Sequence, residues 1–334
     1  MIFLDTARFC DTLGGVILRE REEIPMLQSF LTVGQQIITL YLLLVVGFVL
    51  GKVKILDDRA STAMSNLVMY VVSPCIMIVA FQRPLEREML RNFGLVTGVS
   101  LLLHVVFIVV AVLLIRDGAT QRQGDLRFAA VFSNCGFIGY PLMAAMLGSI
   151  GIFYGSAYVI VFTVLTWTWG VYAVTGDRSQ LRLKPLLLNP GVISVVAAMA
   201  LYLLSVRLPE LVVTPLNYLA NMNTPLPMIV VGYQLSHANF RQAFSDRCSW
   251  GALGLRLVVI PLAAIALCYM LRVDSAFALV TVIAASTPPA ALMSMFAQKF
   301  GADTKLASSV VSVFTAISVL TIPPMVGLAQ YLMG

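Results

Sequence analysis

The sequence predicts an all-α polytopic membrane protein: ten transmembrane helices in two inverted five-helix repeats, with helices four and nine broken. Three observations predict it. First, of 334 residues, 59% are hydrophobic and only 11% charged, against about 25% charged in a soluble domain; mean hydropathy is +0.91. Second, apolar runs of about twenty residues, the length needed to cross a hydrocarbon core, recur along the whole chain. Third, two of these runs carry helix breakers that a helix meeting only lipid would not need. One is residues 131–142, V-F-S-N-C-G-F-I-G-Y-P-L, with Asn134, Gly136, Gly139 and Pro141; the other is Ser286-Thr287-Pro288-Pro289. Proline removes a backbone donor and clashes one turn back, and glycine lowers the penalty for leaving helical geometry. Non-helical backbone at membrane depth survives only where protein or a wet cavity surrounds it, and paired breaks in two halves point to a carrier's binding site.

Taken in order, residues 1–25 mix acidic and basic side chains and have no apolar run long enough for a signal-peptide core. They are an amphipathic lead-in or an overextended start, and Met26 is the preferred initiator. The first repeat, 26–175, holds spans at 29–51, 60–82 (interrupted at Ser73-Pro74), 92–115 (with His104), 126–147 and the aromatic-rich 150–174. A hydrophilic loop, 176–187, divides the chain. The second repeat, 188–334, holds spans at 188–206, 211–235 (interrupted at Thr224-Pro225), 249–271 (with Arg256), 275–298 and 305–332.

The repeat is legible in one register. Asn66, Ser73-Pro74 and Met77-Ile78-Val79 reappear as Asn217, Thr224-Pro225 and Met228-Ile229-Val230, each 151 positions on. Five spans per half is odd, so the second half enters from the opposite side and the repeat is inverted. Lysines and arginines divide thirteen against eight in favour of placing both termini outside and the mid-chain loop in the cytoplasm.

Charge and composition exclude several classes. The net charge of +6 sits in loops rather than on a basic face, so nucleic acid is not a partner. Five cysteines without metal spacing and two histidines build no metal site or cofactor site, and no nucleophile–base pair supports an enzyme. No Asp or Glu falls securely within a span, which argues against a carboxylate proton relay or a carboxylate-rich cation site.

What remains is amide and hydroxyl chemistry beside half-helix N-termini, whose free N–H groups and positive dipole ends favour anions. Asn134 is the first candidate substrate donor, with Gly136 beside it; its alternative role is to satisfy backbone freed by Pro141. Ser286 and Thr287 hold the equivalent place in span nine, or else bond the carbonyl one turn back. Asn221 lies near the second pair of breaks, where most amides act as interhelical glue. Arg256 is either a counter-charge for an anion or a residue that snorkels to the interface. His104 is expected to be packed and hydrogen-bonded. Pro141, Pro288 and Pro289, with Gly139, Pro74 and Pro225, are expected hinges.

These motifs resemble the auxin efflux carrier family, which includes plant PIN proteins and bacterial dicarboxylate-type carriers. The likeness rests on L-V-V-G-F-V-L-G-K-V-K-I-L-D-D in the first span and its loop, N-C-G-F-I-G-Y-P-L in the fourth, and S-T-P-P with F-A-Q-K-F-G in the ninth, and covers Met26 to the C-terminus. The resemblance implies spans four and nine crossing at Pro141 and Pro288, a substrate-contacting Asn134, and a transport domain moving in an elevator-like manner against a scaffold. The expected function is a secondary carrier of a small organic anion, a mono- or dicarboxylate, in a bacterial cytoplasmic membrane. Its partners would be the lipid bilayer and, for import, a co-transported proton; a homodimer is compatible with the sequence. The alternatives are a sodium-coupled organic anion symporter, and a channel or membrane-embedded enzyme.

Overall fold

A computed structural model describes residues 34–35, 38–116, 120–181, 183–237, 247–300 and 303–333. The region 1–25, and with it the choice of initiator, lies outside the described residues. The described chain is helical throughout, its one β feature an isolated bridge between Ser133 and Pro289.

Residues before the mid-chain loop contribute α1 (Ile38–Lys52), α2 (Asp58–Ala80), α3 (Arg87–Leu114), α4 (Thr120–Val131) and α5 (Cys135–Thr175). After the short α6 (Leu183–Leu187) come α7 (Pro190–Leu203), α8 (Glu210–Ala220), α9 (Pro225–Ser236), α10 (Cys248–Leu271), α11 (Ser275–Ser286), α12 (Leu292–Phe300) and α13 (Thr304–Met333). Five of these, α2, α3, α5, α10 and α13, are long and apolar enough to cross a membrane, and α1, α7 and α11 are shorter apolar helices. Leu42, Val45 and Val49 on α1, and Leu102, Val105 and Val109 on α3, are exposed; rows of bare aliphatic side chains on otherwise buried helices are the faces that lipid covers.

Helix starts follow from short polar side chains. The Asp57 carboxylate accepts from the N–H of Ala60 at 2.7 Å, and the Asn189 side-chain oxygen accepts from Gly191 at 2.9 Å just before Pro190, whose missing N–H is harmless in a first turn. Prolines further inside are absorbed differently. Single wide turns at Val68–Val72, Cys135–Gly139 and Leu255–Val259 come just before Pro74, Pro141 and Pro261. Widening the turn relieves the clash of the ring with the carbonyl four residues back. Span two therefore runs unbroken through Ser73-Pro74, contrary to the expected interruption. Span seven does break: α8 tightens into a 3₁₀ turn at Asn221–Asn223 before Pro225 restarts the helix.

The long segment Cys135–Thr175 is two arms. Gly148 has φ 59°, a left-handed value that disfavours any side chain, and the helix reverses there. A Cβ on Gly151 would strike the carbonyl oxygen of Met143, so the arms pack back to back. The first arm falls within residues 126–147, expected as span four, and the second arm covers residues 150–174, expected as span five.

Packing sorts the helices into two groups. In one, α2 contacts α7, α8 and α9, and α1 joins through glycines: a Cβ on Gly47 would hit the Ile229 carbonyl, and one on Gly232 the Leu44 carbonyl. In the other, α5 packs on α3 and α11, α11 on α10 and α13, and α12 on α13. The groups meet where α5 packs on α2 and α7, with Phe153 against Phe81 and Tyr202, and where α9 touches α13 and the Cys135–Gly139 turn.

Candidate functional site at the paired breaks

Both interrupted spans leave helical geometry at the same place. The α4 helix ends at Val131 and α5 begins at Cys135; α11 ends at Ser286 and α12 begins at Leu292. The two extended linkers pair with each other. The N–H of Asn134 donates to the Pro288 carbonyl at 2.7 Å, and the N–H of Ala290 donates to the Phe132 carbonyl at 2.9 Å. Backbone groups freed by one break are satisfied by the other, which is what buried non-helical chain requires.

This corrects one expected position. The chain leaves the helix at 132–134, upstream of Pro141, which lies in the second turn of the restarted helix, just after the wide turn Cys135–Gly139 that accommodates its ring. Gly139 is also helical, at φ −66° and ψ −50°. Pro288 and Pro289 lie in the linker itself. The residue that sets the restart is Asn134, whose side-chain oxygen accepts from the N–H of Phe137 at 3.2 Å as a helix N-cap. Asn134 is 5% exposed, and Ser133 and Thr287 are fully buried. Gly136, half-buried in the same first turn, would meet no atom within 4 Å if it carried a Cβ. Open space therefore adjoins the N-terminal turn beside Asn134.

Arg256 completes the arrangement from α10. Its guanidinium is fully buried and donates to the carbonyls of Val131 at 2.9 Å and Ala130 at 3.3 Å, and also to the Ala285 carbonyl. Ala130 and Val131 end α4, and Ala285 lies in the last turn of α11. One cation thus ties together the negative ends of both incoming half-helices. Snorkelling to an interface does not occur; the wide turn Leu255–Val259 holds the side chain inward.

The remaining expected residues are placed as follows. Ser286 donates to the Val282 carbonyl at 2.7 Å and Thr287 to the Ala284 carbonyl at 3.0 Å, so both hydroxyl protons turn back onto α11. Asn221 is exposed, whereas Asn223, two positions on, is 1% exposed with neither amide atom hydrogen-bonded. Its burial depends on how the 3₁₀ turn rotates, which residue type does not announce. His104 is buried, its Nδ1 against the Ser100 carbonyl at 2.7 Å and its ring centroid 5.0 Å from that of Tyr158.

Sequence reasoning missed one group. Asp125 stands one residue before the expected span 126–147, yet it is fully buried and neither carboxylate oxygen has a hydrogen-bond partner. Burial raises its pKa to about 7, and the like charge of Asp303 pushes the same way. Among the described residues, no three His, Cys, Asp or Glu side chains come together as a metal site. A groove of about 330 Å³ beside α12, lined by Trp167, Leu292, Met295, Phe296 and Lys299, is mostly apolar and contains none of the break residues.

A membrane-spanning helical body with paired, mutually bonded breaks is the frame in which comparison with known proteins carries weight. The family model described as "Membrane transport protein" matches residues 32–185 and 178–326, nearly the whole chain. The chain belongs to this family, that of the auxin efflux carriers. An uncharacterized transporter of Methanothermobacter thermautotrophicus is 25% identical over 296 residues, covering 86% of this chain and 96% of its own. A second uncharacterized transporter, from Methanocaldococcus jannaschii, is 24% identical over 298 residues, covering 86% and 95%. This membrane transport protein is thus a multi-pass membrane protein and a transporter, and the resemblance seen in the motifs of spans one, four and nine holds at the level of the family.

Proposed function

We propose that the protein is a secondary carrier of a small organic anion, a mono- or dicarboxylate, that works by alternating access. One observation carries this: Arg256 occupies the carbonyl ends of both half-helices at the breaks, while the helix start at Asn134–Gly136 faces open space. The negative ends of α4 and α11 are neutralised by a buried cation, and the positive ends of α5 and α12 remain. Such a site has a net positive field in a low-dielectric setting, which favours an anion. In this reading Asn134 donates through its side-chain amide, Gly136 gives close access to backbone N–H groups, and Arg256 acts from behind the breaks as a counter-charge without touching the substrate. Ser286 and Thr287 contribute lone pairs and shape, because their protons are engaged.

The two helix groups are natural parts for an elevator-like motion, with α3–α5 and α10–α13 sliding against α1, α2 and α7–α9. Ten spans in inverted repeats, in a bacterial cytoplasmic membrane with both termini outside, belong to the same proposal, supported by the 151-residue offset and the lysine and arginine bias. Counterflow of labelled malonate, malate or citrate in proteoliposomes tests it. Saturable exchange that is lost in Asn134→Ala is the expected result; flux that does not saturate would indicate a channel, and strict dependence on sodium a symporter.

A further inference from the structure

A second buried charge lies away from the breaks and has a different character. Arg256 has carbonyl partners; Asp125 has none. Its carboxylate is shut off from solvent within α4, and neither oxygen has a donor among the described residues. A close backbone approach positions it: a Cβ on the adjacent Gly124 would overlap the carbonyl oxygen of Ala173, so α4 lies directly against the last turn of α5. An ionised carboxylate in such a place lacks both water and a counter-charge, and the neutral acid is the form that tolerates it.

Among the described residues, the neighbouring charges do not supply a partner. On its own helix, Arg127 donates to the carbonyls of Ile115 at 3.1 Å and Val112 at 3.0 Å, closing the end of α3, and Arg122 has its own interaction rather than a bond to either oxygen of Asp125. From α10, Arg256 is committed to the three helix-end carbonyls. From α12, Lys299 lies 5.3 Å from the ring centre of Trp167. Beyond α5, Asp177 accepts from Ser179 and Arg178 stacks on Tyr172. Beyond α3, Arg116 accepts the Cys248 thiol at its carbonyl. Ahead of α13, Lys305 is exposed, and Asp303 accepts from the N–H of Leu306 and adds negative charge rather than relieving it.

We propose that Asp125 is the proton-binding residue of this transporter, neutral while α4 is packed against α5 as seen here and ionised when that packing opens to water. The proton leaves to, and returns from, the aqueous phase at the loop end of α4, the end away from Asn134. A group that is neutral in one conformation and anionic in another ties proton uptake to the movement of α4, and a proton carried inward with an organic anion offsets the anion's charge. The assignment of proton direction rests on the carrier reading above; the protonation of Asp125 does not.

The test uses the full-length protein in lipid nanodiscs. Infrared difference spectra between acid and alkaline pH should show the C=O stretch of a protonated carboxyl that titrates near neutrality, absent from Asp125→Asn and restored with a shifted midpoint in Asp125→Glu. A spectrum unchanged in Asp125→Asn, with that variant eluting as folded protein, would overturn the proposal whether or not any substrate moves. In the second arm, proteoliposomes carrying an internal pH dye are given malonate. Proton entry with uptake in the wild type, and uptake without proton entry in Asp125→Asn, is the expected pair; equal proton entry in both overturns the coupling. Failure of the wild type to move any organic acid would sink the carrier reading alone, because the infrared arm still decides Asp125.

Discussion

The N–H of Asn134 lies 2.7 Å from the carbonyl oxygen of Pro288, in the other half of the chain. This bond joins two helix breaks that would each be intolerable alone in a membrane, and it fixes the place where the Asn134 side chain caps one helix start. On the carrier reading proposed above, Asn134 has two separable roles, capping the helix and contacting the anion. Asn134→Asp keeps an acceptor for the Phe137 N–H but places a negative charge where an anion is expected. It should fold normally and lose transport. Asn134→Ala should lose transport and also about 1 kcal/mol of stability through the missing cap. Thermal unfolding in detergent beside counterflow separates them; normal transport in Asn134→Asp would remove the anion site from this position.

Arg256 is bonded to three buried carbonyls. Replacing it with Met leaves all three acceptors without donors, and Gln, with one shorter amide, cannot serve all three, at about 1–3 kcal/mol for each unmet group. Both variants should unfold well below the wild-type temperature, and Arg256→Lys, with a narrower reach, should fall between. An Arg256→Met protein as stable as the wild type would mean that the cation does not hold α4 and α11 together.

Stability should depend on pH through Asp125. Its folded-state pKa of about 7 is raised above the unfolded value of about 3.9. The folded state therefore binds the extra proton between these limits, and the associated stability, complete below the lower value, is lost as pH rises toward 7 and changes no further above it. The melting temperature of the wild type relative to Asp125→Asn should thus decline from pH 4 to 7 and then level off. Parallel curves would contradict a buried, unpartnered carboxyl.

Close backbone contact at Gly232 predicts a purely structural effect. A Cβ there meets the Leu44 carbonyl, so Gly232→Ala must push α9 away from α1. Overpacking of this kind costs about 1–3 kcal/mol. A clear drop in unfolding temperature with the substrate site untouched is expected, measured beside Gly136→Ala, which meets open space and should unfold near the wild-type temperature.

Hydropathy and helix breakers determined that this chain spans a membrane and that spans four and nine are special, because apolar length and proline chemistry act locally and leave marks in local sequence. The shared register of 66–79 and 217–230 is a matter of spacing alone: the first segment runs on through Pro74, whereas the second tightens into a 3₁₀ turn before Pro225. Tertiary structure decided the rest. The break fell at 132–134 rather than at Pro141, because a wide turn absorbs a proline while the linker partner around Pro288 dictates where extended chain can be satisfied. It turned Arg256 from a free counter-charge into a bond between two helix ends, and it exchanged Asn221 for Asn223 at the buried turn. It also closed α4 over Asp125, a residue that looks like loop because nothing in its neighbours along the chain says that Ala173 will press against the adjacent glycine. Burial is a property of contacts between distant segments, and residue type and spacing carry no record of it.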